Sequence, residues 1–258
     1  MKRDDLTKWL DTYLAITDYS DISLNGLQVE GAEDIRKLAF AVDSSMSSFQ
    51  QAAEIGADML IVHHGLFWGN PLAISGMHKK RVQFLLEANI SLYASHIPLD
   101  AHQEVGNNWG LAKLIGMADL EDFGSWKGKA IGVKGTFPNK VTLRELADNI
   151  ENTLSQISGG KTTEPLMVHN GGELEIASLG IISGGASWDV VTAAHEGLDA
   201  FLTGEPKHET FYEAFERGIN ALYAGHYMTE TVGVNLLAEK IKGEFGIETE
   251  FIHLPTGL

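Results

Sequence analysis

The sequence predicts an α/β fold built from a duplicated unit, and three observations carry the prediction. Residues 38–64 and 179–205 align at a constant offset of 141: Leu38 meets Leu179, Ala52-Ala53 meets Ala193-Ala194, Gly56 meets Gly197 and Asp58 meets Asp199. Both copies run in the order apolar stretch, small-residue turn, Ala-rich helical stretch, glycine, apolar stretch, which is the crossover of a parallel sheet. Further on, Leu92-Tyr93-Ala94-Ser95-His96 meets Leu222-Tyr223-Ala224-Gly225-His226 at an offset of 130, and a carboxylate follows each histidine by four residues, Asp100 and Glu230.

Each element follows from local pattern. Residues 3–16 have the spacing of an amphipathic helix. Leu38 to Val42 and Met59 to Val62 are apolar runs of strand length, with the turn Asp43-Ser44-Ser45 after the first. Met77 to Asn89 reads as a helix with a basic first half, and Ile90 to Ala94 as the next strand. Val105-Gly106-Asn107-Asn108 opens a Leu/Ala-rich helix, echoed by Val232-Gly233-Val234-Asn235. Between the copies, about 118–176, lie a strand from Ala130 to Val133, a helix from Leu143 to Leu154, a strand from Leu166 to His169 and Gly-rich turns at 159–160 and 171–172. The second copy supplies strands from Leu179 to Ile182 and Ala200 to Leu202, a helix from His208 to Arg217 and a strand from Ala221 to Ala224. Two domains are expected, an N-terminal α/β repeat at 1–117 and a C-terminal repeat at 118–258 with a β-rich start. The last part, from about 221, is expected to contribute to a shared metal site.

Composition narrows the chemistry. The chain has 258 residues and a net charge of −16, from 35 acids against 19 bases. Phosphate contacts dominate nucleic-acid affinity, so nucleic acid and anionic membranes are poor partners for it. No apolar run is long enough for a transmembrane helix, and the start Met1-Lys2-Arg3-Asp4-Asp5 has no signal-peptide core behind it. A cytoplasmic location is expected. There is no cysteine and there are ten histidines. Thiol chemistry and Cys-type metal sites are therefore excluded. Any metal is held by imidazole and carboxylate, which suits Zn, Fe, Mn, Co, Ni or Mg.

Functional groups of open α/β sheets gather where the strands end. The run Met59 to Val62 ends in His63-His64-Gly65. The run Ile90 to Ala94 ends in Ser95-His96, followed by Asp100. In the second copy, Phe201-Leu202 ends in Thr203-Gly204-Glu205, and Ala221 to Ala224 ends in Gly225-His226, followed by Glu230. Neighbouring side chains on a strand point to opposite faces, so His63 and His64 suit two different ions. Thr229 reads as a helix N-cap, which would put Glu230 in the first turn. Three histidines (His63, His64, His226) and two acids (Asp100, Glu230) are the inventory for two N/O-bound ions, with one carboxylate bridging. His96 and Glu205 are candidates for orienting a ligand or carrying a proton. The remaining six histidines read as surface or structural.

Two glycine-rich stretches are decoys. Gly159-Gly160-Lys161-Thr162 looks like the tail of a phosphate loop, but a helix precedes it and Ser155 stands where the first glycine belongs. Ser183 to Ser187 is a Gly-rich turn of a kind common between strand and helix.

At these residues the sequence resembles the Nif-three-like dinuclear metal-centre family, the GTP cyclohydrolase I type 2 homologues. The resemblance lies in Leu24 to Gly31, Val62 to Trp68, His96 to Asp100, Gly106 to Asn108, Thr203 to Glu205 and Gly225 to Glu230. It implies two similar interlocked α/β domains, a metal site at strand C-terminal ends between them and a ring-shaped homohexamer. It also implies two divalent ions per chain, with His64 and Asp100 on one, His63 and His226 on the other and Glu230 bridging. His96 is not a direct ligand in that pattern and is left as a proton carrier or orienting group.

The function expected is a metal-dependent hydrolase of a small molecule, with a phosphoester, nucleotide or cyclic amide all fitting. The alternative is a non-catalytic metal-handling or regulatory hexameric scaffold.

Overall fold

The structure, a computed structural model, describes residues 1–160 and 165–258. Lys161 and Thr162 of the rejected phosphate-loop stretch lie outside the described residues. The fold is mixed α/β with two sheets. The chain divides into two compact units that interleave along the sequence. The first holds Met1–Leu99 and Val234–Leu254, the second Asp100–Gly233 and Pro255–Leu258.

The first unit is built on five strands: β1 (Gly26–Val29), β2 (Lys37–Asp43), β3 (Met59–His64), β4 (Ser91–Ala94) and, from the far end of the chain, β11 (Glu248–Phe251). Their order is β1-β4-β3-β2-β11. The strands β4, β3, β2 and β11 are parallel, and β1 closes the edge antiparallel to β4. The middle strands are apolar without alternation because both faces are covered. Phe40, Leu60, Ile61 and Leu92 are fully buried. Helices α1 (Arg3–Tyr13), α2 (Met46–Glu54) and α3 (Gly76–Glu87) belong to this unit. Ser45 starts α2 with a reciprocal cap to Ser48. The outer strand β11 carries Glu248 and Glu250 side by side on Lys37 Nζ, each at 2.8 Å.

The second unit contains six strands: β5 (Ala118–Phe123), β6 (Gly132–Thr142), β7 (Met167–His169), β8 (Glu175–Ile181), β9 (Ala200–Thr203) and β10 (Asn220–Tyr223). The order is β5-β6-β8-β9-β10-β7, with β8, β9 and β10 parallel and the rest antiparallel. The strand expected over 130–133 runs on to Thr142. It tolerates Pro138 because the ladder with β8 is interrupted between Thr136 and Val141. Helices α5 (Asn107–Leu114), α6 (Leu143–Ile157), α7 (Val190–His195) and α8 (Thr210–Arg217) lie in this unit. The short α4 (Ile97–Ala101) and the long α9 (His226–Phe245) each span a point where the chain passes from one unit to the other.

The two units share a structural signature consistent with duplication. In the first, Asp58 Oδ2 accepts from the amides of Arg36 and Lys37 at 2.8 and 3.2 Å. In the second, Asp199 Oδ2 accepts from Ala177 and Ser178, both at 2.9 Å. The aspartates, and the amides they hold, are related by the same offset of 141. Each carboxylate, just before one strand, ties it to the backbone of the neighbouring strand. Gly56 and Gly197, at the matching helix ends, have φ of +71° and +74°. Asp199→Ala would leave the amides of Ala177 and Ser178 and the Ser178 hydroxyl without their acceptor. A loss of about 2–3 kcal/mol is expected. Urea unfolding of the variant checks it; a loss below about 0.5 kcal/mol would contradict the role.

The second alignment shifts by one residue in the ladders. Leu60 pairs with Leu92, whereas its equivalent Phe201 pairs with Ala221. By register His96 therefore corresponds to Gly225 and not to His226. The extra residue is taken up at Gly225, whose φ of +88° a side chain would resist.

Candidate metal centre

In the first unit the parallel strands β2, β3 and β4 end side by side, and their ends carry Asp43, His63-His64 and Ser95-His96. His63 is fully buried and its Nδ1 lies 3.0 Å from the carbonyl oxygen of Ser95, at the end of β4. His64 turns the other way, and its Nδ1 lies 2.8 Å from Asp43 Oδ1 at the end of β2. Neighbouring histidines on one strand are thus drawn to opposite neighbours, with ring centroids 4.7 Å apart. His96 Nδ1 sits 3.0 and 3.1 Å from the two oxygens of Asp21. Its backbone amide donates to Asn25 Oδ1. His63, His64 and His96 each offer one ring nitrogen within 4.8 Å of the others.

Asp21 organises this corner. Its side chain is 2% exposed. It accepts from the amides of Ser23 and Ile97, from Asn25 Nδ2 and from His96. Burial alone would raise its pKa, but the hydrogen bond and charge of His96, with Asn25 and Ser23, outweigh burial and hold it well below the usual carboxylate range. Trp68 stands beside the histidines, its centroid 5.1 Å from that of His96 and 5.7 Å from that of His64. The indole is fixed by its Nε1–H donating to the carbonyl of Gly65 at 2.9 Å.

In the second unit the parallel ends of β8, β9 and β10 lead into Ser183-Gly184, Gly204-Glu205 and His226. His226 begins α9, so Thr229 is not the N-cap that local pattern suggests. Its hydroxyl instead reaches the carbonyl oxygens of Gly225 and His226 and accepts from the amide of Gly184. His226 and Glu230 then fall four apart on one helical face, where side chains meet. His226 Nε2 is 3.1 Å from Glu230 Oε1, and its Nδ1 is 2.6 Å from Glu205 Oε1. Burial works to lower the pKa of this imidazole. The hydrogen bonds and charges of Glu230 and Glu205 prevail and raise it to about 9.

Asp100 is buried in the same unit, and its Oδ1 accepts from Asn107 Nδ2 at 2.8 Å and from the Ser183 hydroxyl at 2.9 Å. Gly184 has to be glycine twice over. Its φ is +66°, and a Cβ there would stand 2.5 Å from Glu230 Oε1 and 3.2 Å from His226 Nε2. The 183–187 turn is no phosphate cradle, because its amides already serve neighbours: Gly184 donates to Thr229 and Ala186 to Thr203. Gly204 is closed in as well, since a Cβ would meet the backbone of His226 at 2.6 Å. Gly204→Ala is expected to displace His226 and weaken zinc binding at least about tenfold, read by competition with a chromophoric chelator. Unchanged zinc affinity would contradict the packing argument.

The site residues read from the sequence thus fall into two groups. His63, His64 and His96 gather in the first unit; His226, Glu230 and Glu205 gather in the second, with Asp100 held by Asn107 and Ser183. Sequence reasoning missed Asp21 and Asp43, the carboxylates behind His96 and His64. Of the other histidines, His102 Nδ1 accepts from the amides of Glu104 and Val105, and His169 packs edge-on to Phe211 and Tyr223. Both are structural.

One regularity runs through both groups. His63, His64, His96 and His226 all turn Nδ1 to an oxygen, a backbone carbonyl in one case and a carboxylate in three. Such oxygens only accept, so His226, with a carboxylate at each nitrogen, holds protons on both, whereas in the neutral rings of His63, His64 and His96 Nδ1 carries the proton and Nε2 the lone pair. That is the state in which an imidazole binds a divalent ion. Among the described residues no helix is long and apolar enough to cross a membrane.

Comparison with known proteins gives the family. A protein 49% identical over 256 residues, spanning 99% of this chain and 94% of its own, is the "GTP cyclohydrolase 1 type 2 homolog" of Deinococcus radiodurans. The protein of the same name from Archaeoglobus fulgidus is 42% identical, with both chains fully covered. The crystal structure of TTHA1606 from Thermus thermophilus superposes with a TM-score of 0.87 at 44% identity, again covering both chains completely. The profile of the family described as Duf34/NIF3 (NGG1p interacting factor 3) matches residues 1–256, and the chain belongs to that family.

Proposed function

We propose that this protein is a metal-dependent hydrolase with a dinuclear centre. His63, His64, Asp100, His226 and Glu230 are its ligands, and Glu230 is the bridging carboxylate. The observation that carries this reading is the gathering of histidines and carboxylates at the strand ends, with Nδ1 of each imidazole turned to an oxygen. The donor set is nitrogen and oxygen only, which fits Zn, Mn, Fe, Co, Ni or Mg. Bound there, two divalent ions would supply Lewis acidity and make water nucleophilic near neutral pH.

The chain's own groups have distinct tasks. Asp43 and Glu205 orient His64 and His226 and raise their basicity as ligands. Asn107 and Ser183 fix Asp100. His96, backed by the buried Asp21, is the group placed to hold or move a proton at Nε2. Trp68 walls the first unit's corner and limits access of water. The relatives' name directs the substrate search to nucleotides and cyclic amides. The family resemblance adds assembly as a homohexamer, which light scattering on the purified chain checks.

The test compares wild type with His96→Ala on a panel of phosphoesters, nucleotides and cyclic amides. Turnover in the wild type and its loss in His96→Ala with metal content unchanged is the expected result. A metal-loaded chain without turnover, in which metal removal only lowers thermal stability, favours a metal-handling scaffold instead.

A further inference from the structure

The hairpin between β5 and β6 leaves the sheet at the same edge as the second unit's candidate ligands. Phe123 pairs with Gly132 and Val133 with Ile181, so the hairpin emerges where β8 ends. Its base is tied to the site. Asn108 donates to the carbonyl of Ile131 and accepts from the amide of Ser183, both at 2.7 Å, and Ser183 in turn holds Asp100. At the other foot, a Cβ on Gly124 would lie 2.5 Å from Ile182 Cδ1 and 3.6 Å from Asp189 Oδ1. Gly124 has φ of +63°, so the chain bends at this foot before the turn.

The tip closes on a tight turn and is unusual in composition. Trp126 and Lys129 exchange backbone hydrogen bonds at 2.8 and 3.0 Å. The two residues between them, Lys127 and Gly128, have φ of +49° and +84°. This is the two-residue hairpin turn that favours Asn-Gly. A lysine in the left-handed region is disfavoured, and such conformations gather at functional positions. Lys127 and Lys129 are both exposed, and Lys127 Nζ lies 5.5 Å from the centroid of the Trp126 ring. No acid pairs with Lys129 among the described residues. In a chain of net charge −16, two lysines and an indole on one fixed turn make a local cationic, aromatic surface.

We propose that the β5–β6 hairpin is the substrate-recognition arm of the site, with Lys127 and Lys129 binding the phosphate of a planar phosphorylated heteroaromatic and Trp126 stacking on its ring. Stacking on an indole is tolerant of ring identity, and paired ammonium groups confer the preference for the charged form. The assignment rests on the hydrolase reading for its place in a reaction, but the binding it requires does not depend on turnover.

Calorimetry on the metal-loaded full chain tests it with adenosine monophosphate, adenosine and inorganic phosphate. Wild type is expected to bind the monophosphate at least about tenfold more tightly than adenosine. Lys127→Ala/Lys129→Ala should erase that ratio, and Trp126→Ala should weaken both nucleosides about tenfold. Lys79→Ala/Lys80→Ala, which removes equal charge elsewhere, should change nothing. The arm is ruled out by a wild type that fails to bind or to prefer the monophosphate, by a double variant that keeps the preference, or by equal damage from the control variant. Phosphate competing as well as the monophosphate overturns the stacking role. Absence of turnover with the binding pattern intact would instead count against the hydrolase.

Discussion

Glu230→Gln is expected to lower zinc affinity by about 100-fold or more, the largest effect of any single change in the site. Glu230 is 3% exposed, and its Oε1 faces His226 Nε2 at 3.1 Å. As the carboxylate proposed to be shared, it would help to hold both ions, so its loss would weaken both. The amide is nearly isosteric and retains a hydrogen bond to the ring, so the metal-free fold should persist. Competition titration against a chelator reads the effect, with circular dichroism confirming the fold. Affinity within about threefold of wild type would remove Glu230 from the ligand set.

Asp21→Ala is expected to cost about 3–5 kcal/mol of stability. Four donors converge on this buried carboxylate, and removing it strands all of them. The paired His96 would also lose its orientation, so any turnover should fall with stability. The sign of the pH dependence follows from the depressed pKa. A carboxylate held below its unfolded value stabilises the fold fully above that value, near pH 4, and the contribution is lost as pH falls further. Wild type should therefore weaken on acidification below about pH 4 more steeply than Asp21→Ala does. Parallel acid unfolding curves for the two proteins would contradict the assignment.

The legible part of the fold was the part with two covered faces. Runs such as Met59 to Val62 and Ala221 to Tyr223 are apolar because their strands have neighbours on both sides and are buried, and the polar residues of interest follow closely on each. Those residues supplied most of the candidate site. Edge strands were harder. Outer β11 alternates Glu248 and Glu250 with Thr249 and Phe251, and outer β5 carries Glu121 and Asp122, as edges do to discourage pairing. Nothing local shows that residues 234–254 return to the first unit. Asp21 and Asp43 were invisible for another reason. Each is a lone acid whose histidine lies 75 or 21 residues away, and no spacing rule links them. The N-cap assigned to Thr229 failed because α9 starts at His226, where the chain passes straight from β10 through Gly225 into the helix.

The same physics explains why the histidines could be found but their partners could not. A histidine after an apolar strand is an anomaly in sequence. Its orienting oxygen is ordinary: a backbone carbonyl at Ser95, or an aspartate at a loop or strand end. Orientation of the ring is settled only when strands from distant segments are laid side by side. The two units offer similar sets of strand ends, and the shift of one residue at Gly225 breaks their equivalence. His226 starts a helix with Glu230 one turn on, whereas His96 is turned toward Asp21.

Metal content is the most direct test. The purified chain, stripped with a chelator and incubated with zinc, manganese or ferrous iron, is measured by plasma mass spectrometry after desalting. About two ions per chain are expected, falling to about one or none in His63→Ala and Glu230→Gln. A wild-type chain that stays metal-free with all three ions, or variants that load as fully as wild type, would contradict a dinuclear centre at these residues.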